Sequence, residues 1–192
     1  MEVDPDGLRP AAGRFRRGEN LRAWVQHRPL GHVVAVCALD PAGIAADQFV
    51  VNGTVIDIAS LRVVGWATAD HLRTELVAEA LTAACRQRRP THSVIFHSDR
   101  GCQYTSQQFA VLAAQFEVRL SVGRTGQCWD NALAESFFST IKRELLGTSA
   151  WPSRATARTA IFDFIEGWYN LHRLHSSLGY LSPAEYETAL AA

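Results

Sequence analysis

Asp99 and Glu135 are the two residues of this chain whose types and settings best suit chemistry, and they lie 36 positions apart. Asp99 stands in His97-Ser98-Asp99-Arg100-Gly101-Cys102-Gln103-Tyr104, directly after an apolar run that reads as a strand. Glu135 stands in Asp130-Asn131-Ala132-Leu133-Ala134-Glu135-Ser136-Phe137-Phe138, where helical spacing begins. A carboxylate at a strand exit is a hard oxygen ligand on a stiff element. A second carboxylate arriving on a helix can complete a divalent-cation site open on one side. Mg²⁺ favours that donor set, because it takes a few carboxylates and fills its other positions with water and phosphate oxygens. Ions so held activate an attacking oxygen and stabilise a leaving one in displacement at phosphorus. Gly101 permits a tight turn beside Asp99.

Other residues follow the same logic. Ser139 and Lys142 fall four and seven positions after Glu135, so a helix presents all three on one face. Lys142 is the only lysine among 19 basic residues, and a compact ammonium there can hold a phosphate. Arg143 borders that face, and Asn131, Ser136 and Gln103 offer polar contacts. Each residue also has a plainer reading. Asp99 can serve the turn, Glu135 can complement the helix dipole, and Lys142 can be a solvated surface residue. His97, with no partner at ligand spacing, reads as a packed strand residue.

These side chains need elements to position them. Residues 1–30 are rich in Arg, Pro and Gly without a period and read as a poorly ordered arm. His32–Leu39 reads as a strand. A second runs from Phe49 to Ile58, broken near the turn dipeptide Asn52-Gly53. A third spans Leu61–Ala67, which makes an antiparallel meander. A helix capped by Asp70 carries Leu72, Leu76, Val77, Ala80, Leu81 and Ala84 up to Pro90. Val94–Phe96 is a short buried strand, 106–115 a helix capped by Ser106, and Val118–Val122 another strand. A loop at 123–129 precedes a long helix over 131–146. A further helix spans 154–170, and Ser182-Pro183 opens a last short one. Three antiparallel strands, then strands alternating with helices, predict an α/β fold with a mixed sheet flanked by helices, of the ribonuclease H-like kind. The division is an arm at 1–30, a core at 31–150 and a C-terminal helical extension at 151–192.

Composition bounds the rest. With 192 residues, 47% hydrophobic and 20% charged, the chain is long enough for one domain with a sizeable core. Nothing approaches the ~18 apolar residues of a membrane span, and no leader pattern opens the chain. The four cysteines lack Cys-x-x-Cys spacing and read as reduced thiols. The net charge of zero gives no global basic footprint, so any nucleic-acid contact rests on local patches.

The strings HSDRGCQYTSQQF, DNALAESFFSTIKREL and EGWYNLHRLHSSLGYLSPAEYE, with VIDIASLRVVGWATADHLRTELV upstream, resemble the catalytic half of insertion-sequence transposases with a retroviral-integrase-type core. The resemblance covers Val55–Glu187, about 70% of the chain. It implies a ribonuclease H-like fold and Mg²⁺- or Mn²⁺-dependent DNA strand cleavage and strand transfer by an Asp-Asp-Glu triad. Asp99 matches the second acid and Glu135 the third. Lys142, Arg143, Arg124 and Arg173 are the expected DNA contacts. DNA, as element ends and target, is the implied partner, bound by a homo-oligomer in the bacterial cytoplasm at the nucleoid, with no membrane role.

The family's first acid lies in a Trp-x-x-Asp-x-Thr-Tyr strand about 18 residues before the Val-Ile-Asp string, and this sequence has no such strand. Asp40, 17 residues before Asp57, ends an apolar run and is the positional substitute for the first catalytic and metal-binding acid. Asp57 matches a different family position and is not assigned catalysis. Two readings stand side by side: an active transposase core, or a catalytically inactive remnant with altered residues 1–50 that binds DNA or a partner subunit.

Overall fold

The computed structural model describes residues 32–39, 51–122, 129–146 and 151–192. Five strands form one sheet: β1 (His32–Leu39), β2 (Val51–Asp57), β3 (Val63–Ala69), β4 (Val94–Ser98) and β5 (Val118–Val122). Their order across the sheet is β3-β2-β1-β4-β5. β1 pairs antiparallel with β2, β2 antiparallel with β3, β1 parallel with β4, and β4 parallel with β5. The expected mixed sheet is therefore present, with the meander on one side and the parallel strands on the other. The longer helices are α1 (Thr74–Arg88), α2 (Gln107–Gln115), α3 (Trp129–Ile141), α4 (Arg154–Phe162) and α5 (Pro183–Ala191), and a 3-10 turn lies at Ser176–Leu178. Two of the helices continue with a wider pitch: α3 into a π turn at Lys142–Leu146, and α4 into one at Asp163–Tyr169 that ends in Asn170–His172.

Strand alternation sorts the core into two clusters, one on each face of the sheet. Val55, Val64, Val94, Phe96 and Val118 meet Val77, Ala80, Leu81 and Ala84 of α1 and Phe109 and Ala113 of α2. Ile56 and Val63 meet Phe137, Phe138 and Ile141 of α3 and Ala157, Ile161, Phe164, Ile165 and Tyr169 of α4 and its continuation. Residues beyond 150, read from sequence as an extension, thus help build the second cluster. The largest of these side chains contribute about 2 kcal/mol each on burial. Phe137 stands edge-on to Tyr169, ring centroids 5.0 Å apart, which ties α3 to the helix that follows it.

Several expectations needed correction. β2 runs without a break through Asn52-Gly53, because that dipeptide pairs on both sides, with β1 and with β3. The reversal comes later, where Asp57 Oδ1 accepts from Ala59 N at 2.8 Å and Ser60 N at 3.2 Å. Asp70 does not cap α1; the N-cap is Arg73, with no side-chain cap, and Asp70 pairs instead with Arg154 at 3.1 Å. The single helix expected over 131–146 changes pitch after Ile141. The caps expected at Ser106 and Ser182 are present and Ser153 caps α4 likewise, each hydroxyl accepting from a backbone N–H three residues on, and Ser182 forms a full capping box with Glu185. Cys85 is a buried free thiol and Cys102 an exposed one. No helix among the described residues is long and apolar enough to cross a membrane.

Two close fits fix the sheet. A side chain at Gly65 would meet Ala80 O at 2.3 Å and Ala84 N at 2.5 Å, so α1 lies on β3 with only a hydrogen between them. On the outer edge of β3, the carboxamide of Asn170 accepts from Val63 N at 2.9 Å and donates to Val63 O at 3.0 Å. Its side chain completes the strand much as a peptide group would.

Two measurements check this frame. Asn170→Ala leaves a buried donor and acceptor unpaired and is expected to cost about 2–4 kcal/mol in denaturant unfolding. His175, beside Tyr169, is held down to a pKa of about 4 by burial and by Arg173. The unfolded chain takes up this proton nearer 6.5, so its contribution to stability is present above that pH and is lost as pH falls toward 4. The melting temperature of His175→Phe is expected to fall less steeply than wild type across that window.

Candidate metal and phosphate site

Asp99 follows β4 directly, and its loop is pinned from three directions. Gly101 N donates to Asp99 Oδ1 at 2.8 Å, closing a turn over the carboxylate. Gln103 Nε2 donates to the carbonyl of Leu72 at 3.2 Å, which fastens the loop to the chain entering α1. Tyr104 is buried against Phe96 and Phe109, with ring centroids 6.1 and 5.7 Å away. A side chain at Gly101 would meet Gln103 Oε1 at 2.9 Å and Asp99 Oδ1 at 3.0 Å, so a Cβ there would push the Asp99 carboxylate and the Gln103 amide aside. Gln103, expected as a polar contact of the site, is thus a loop anchor.

Glu135 is exposed on α3, as are Ser136 and Ser139, while Phe137, Phe138, Thr140 and Ile141 are buried. The helix is therefore rotationally fixed by its apolar stripe, and Glu135 is turned away from that contact. α3 packs against β1 and β4. Phe96 and Val94 belong to the cluster under α1 and α2, so by alternation His97 and position 99 fall on the α3 face. Both acids are thus delivered to one face, one by a strand end and one by the helix packed over it.

The expected basic residues divide. Lys142 is half-buried and begins the π turn, and Arg143 is exposed beside it. π turns recur at functional sites because they shift the helix face presented beyond them. Arg173 is committed within the chain: its guanidinium donates to Thr140 Oγ1 at 3.2 Å, pairs with Glu144 at 3.5 Å, and lies 6.0 and 5.9 Å from the Trp168 and Tyr169 rings. Arg124 and Asp40 lie outside the described residues. Asp57 is opposite Val33, near the start of β1, and so sits at the other end of the sheet from Asp99. Burial raises its pKa, and Arg88, 3.4 Å away, opposes that rise. Arg88 also bonds Glu187, which accepts from Ser60 and from Arg62 at 2.8 Å each. This network fastens α5 to the β2–β3 turn; sequence spacing gave no sign of it, nor of Asn170.

The carboxylates of Asp99 and Glu135 are hard donors suited to Mg²⁺ or Mn²⁺. Among the described residues no group of three His, Cys, Asp or Glu side chains is placed to hold a metal ion. β1, in the centre of the sheet, contributes no acid: its sequence is HVVAVCAL.

Two family profiles, both described as Integrase core domain, match residues 36–128 and 116–183. The chain is 39% identical over 132 residues to the transposase for insertion sequence element IS904 of Lactococcus lactis, covering 69% of this chain and 52% of that protein. It is 38% identical over 133 residues to transposase InsF for insertion sequence IS3A of Escherichia coli, covering 69% and 46% respectively. The chain thus spans about half the length of the curated relatives it matches. In fold it is similar to the HTLV-2 integrase catalytic core domain solved in complex with magnesium, with a TM-score of 0.58, 13% identity and coverage of 82% and 96%. The catalytic core domain of BIV integrase is similar likewise, with a TM-score of 0.60, 15% identity and coverage of 85% and 97%.

Gly101→Ala tests the turn. The atoms it would displace are side-chain ends, so the melting temperature is expected to stay within about 4 °C of wild type, a change of roughly 1 kcal/mol. Cross-peaks of Asp99 and Gln103 in amide and side-chain NMR spectra are expected to move most.

Proposed function

We propose that this chain, which belongs to the integrase-core family of insertion-sequence transposases, forms the catalytic core of a bacterial transposase that cuts DNA at its element's ends and joins those ends to a target. The observation that carries this reading is the delivery of Asp99 and Glu135 to one face of the sheet by β4 and α3. In this reading the two carboxylates hold Mg²⁺ or Mn²⁺. The bound ion supplies charge to activate an attacking oxygen and to stabilise a departing one. The protein's own part is positioning. The Gly101 turn holds Asp99, and the Phe137 and Ile141 anchors set the rotation of α3.

Lys142 and Arg143, on the π turn after Glu135, are assigned to the DNA backbone near the cut, with Arg124 as a further contact. Lysine serves there as a point charge, and an exposed arginine can grip a phosphate through two donors. With a net charge of zero, attraction for DNA rests on local basic patches of this kind. The active form is a homo-oligomer assembled on the element ends in the bacterial cytoplasm, at the nucleoid.

A strand-transfer assay tests this. The purified chain is incubated with labelled duplexes carrying the element's ends and millimolar Mn²⁺. Joined products are expected from wild type. Asp99→Asn and Glu135→Gln are expected to lower the yield at least about 100-fold, and Lys142→Ala to weaken DNA binding with a shallower salt dependence. Joining that persists undiminished in Asp99→Asn would sink the reading.

A further inference from the structure

Asp99 stands one residue past the point where strand pairing ends, since the register of β4 with β5 stops at Ser98↔Val122. Its position beyond that point is set by the turn that follows. Within the turn, Gly101 N donates to Asp99 Oδ1 at 2.8 Å. Gly101 O accepts from Tyr104 N at 3.0 Å and from Thr105 N at 3.3 Å. These bonds join near neighbours. They give the turn its shape, and a tie to a distant point must fix where that shape stands on the protein.

Gln103 makes such a tie. Its Nε2 donates to Leu72 O at 3.2 Å, across 31 positions of sequence. Leu72 belongs to the junction between β3, which ends at Ala69, and α1, which starts at Thr74. That junction is a fixed reference, because α1 lies so close on β3 that a Cβ at Gly65 would meet Ala80 O at 2.3 Å. The helix start has no side-chain cap of its own at Arg73. The oxygen of the same carboxamide faces Gly101, where a Cβ would come within 2.9 Å of Gln103 Oε1. One flat, half-buried amide is thus wedged between a fixed carbonyl and the glycine that holds Asp99.

We propose that Gln103 is a positioning residue for the divalent-cation site: its carboxamide braces the Gly101 turn against the β3–α1 junction, so that Asp99, with Oδ1 held by Gly101 N, offers its other oxygen to the ion. The proposal rests on the reading of Asp99 as a ligand. Gln103 touches neither ion nor DNA and acts through Gly101. The Asp70–Arg154 pair, at 3.1 Å, joins the same junction to α4, but its side chains are 55% and 45% exposed. Ion pairs so exposed contribute little. The brace therefore lies in the amide and not in that pair.

Mn²⁺ binding to the full chain, followed by electron paramagnetic resonance of the free ion, tests this beside the binding of a labelled DNA duplex in metal-free buffer. Gln103→Met keeps the length of the side chain and removes the donor. It is expected to weaken Mn²⁺ binding by about tenfold, the low end for groups that stand behind a metal ligand, and to leave duplex affinity unchanged. In an Asp99→Asn background the same change should add nothing, since both act on one ligand. Asp70→Asn should bind Mn²⁺ as wild type does. In the metal-free protein the carbon-13 resonance of the Asp99 carboxylate should move in Gln103→Met and stay in place in Asp70→Asn. Gln103→Asn, one methylene short of Leu72, should behave as Gln103→Met does and replaces it if that variant does not fold. Unchanged Mn²⁺ affinity in the folded variant would overturn the proposal. Weaker duplex binding with Mn²⁺ affinity intact would overturn it too, and would make Gln103 a DNA contact. If Asp99→Asn itself leaves Mn²⁺ binding unaltered, the ligand reading of Asp99 falls, and the proposal with it.

Discussion

Everything on the α3 side of this protein depends on one packing contact, the burial of Phe137 and Ile141 against Ile56, Val63 and Ile165. A helix over a sheet can slide and rotate until its side chains interlock, and close packing then makes any other rotation expensive. Phe137 and Ile141 are four residues apart and therefore share the buried stripe. Glu135 and Ser139 fall outside that stripe and are exposed. The acid is accurate because its neighbours are apolar. Phe137, two positions after Glu135, and Ile141, six after it, set the rotation of the helix that carries the acid.

The other acid is held by different means. Asp99 is placed by main-chain register through β4, by a turn that uses one of its own oxygens, and by Tyr104 buried two residues beyond that turn. Helix and strand thus contribute unlike kinds of precision, one from packing and one from hydrogen-bonded pairing. The two meet because α3 rests on β1 and β4. The turn network of Asp57, Arg88 and Glu187 lies toward the other end of the sheet, where it closes the fold.

The parts legible in the sequence were those with a local physical cause. Ser106, Ser153 and Ser182 cap helices through bonds that span three residues, and the spacing shows them directly. The strand at Val94–Ser98 and its exit at Asp99 follow from a short apolar run that ends in a turn. The misreadings came from long-range effects. Asn52-Gly53 has turn chemistry, but pairing on both edges carries the strand through it. Arg173 bonds Thr140 and Glu144, about 30 residues before it, partners that its own neighbourhood in the sequence does not show.

The Asn170 carboxamide bears on a problem separate from folding energy. β3 is an outer strand, and an outer strand offers its free N–H and C=O groups to any extended segment that drifts alongside. By occupying both groups of Val63, one side chain removes the first rung on which a foreign strand would seat itself. At this end of the strand the edge is covered at the cost of a single buried asparagine.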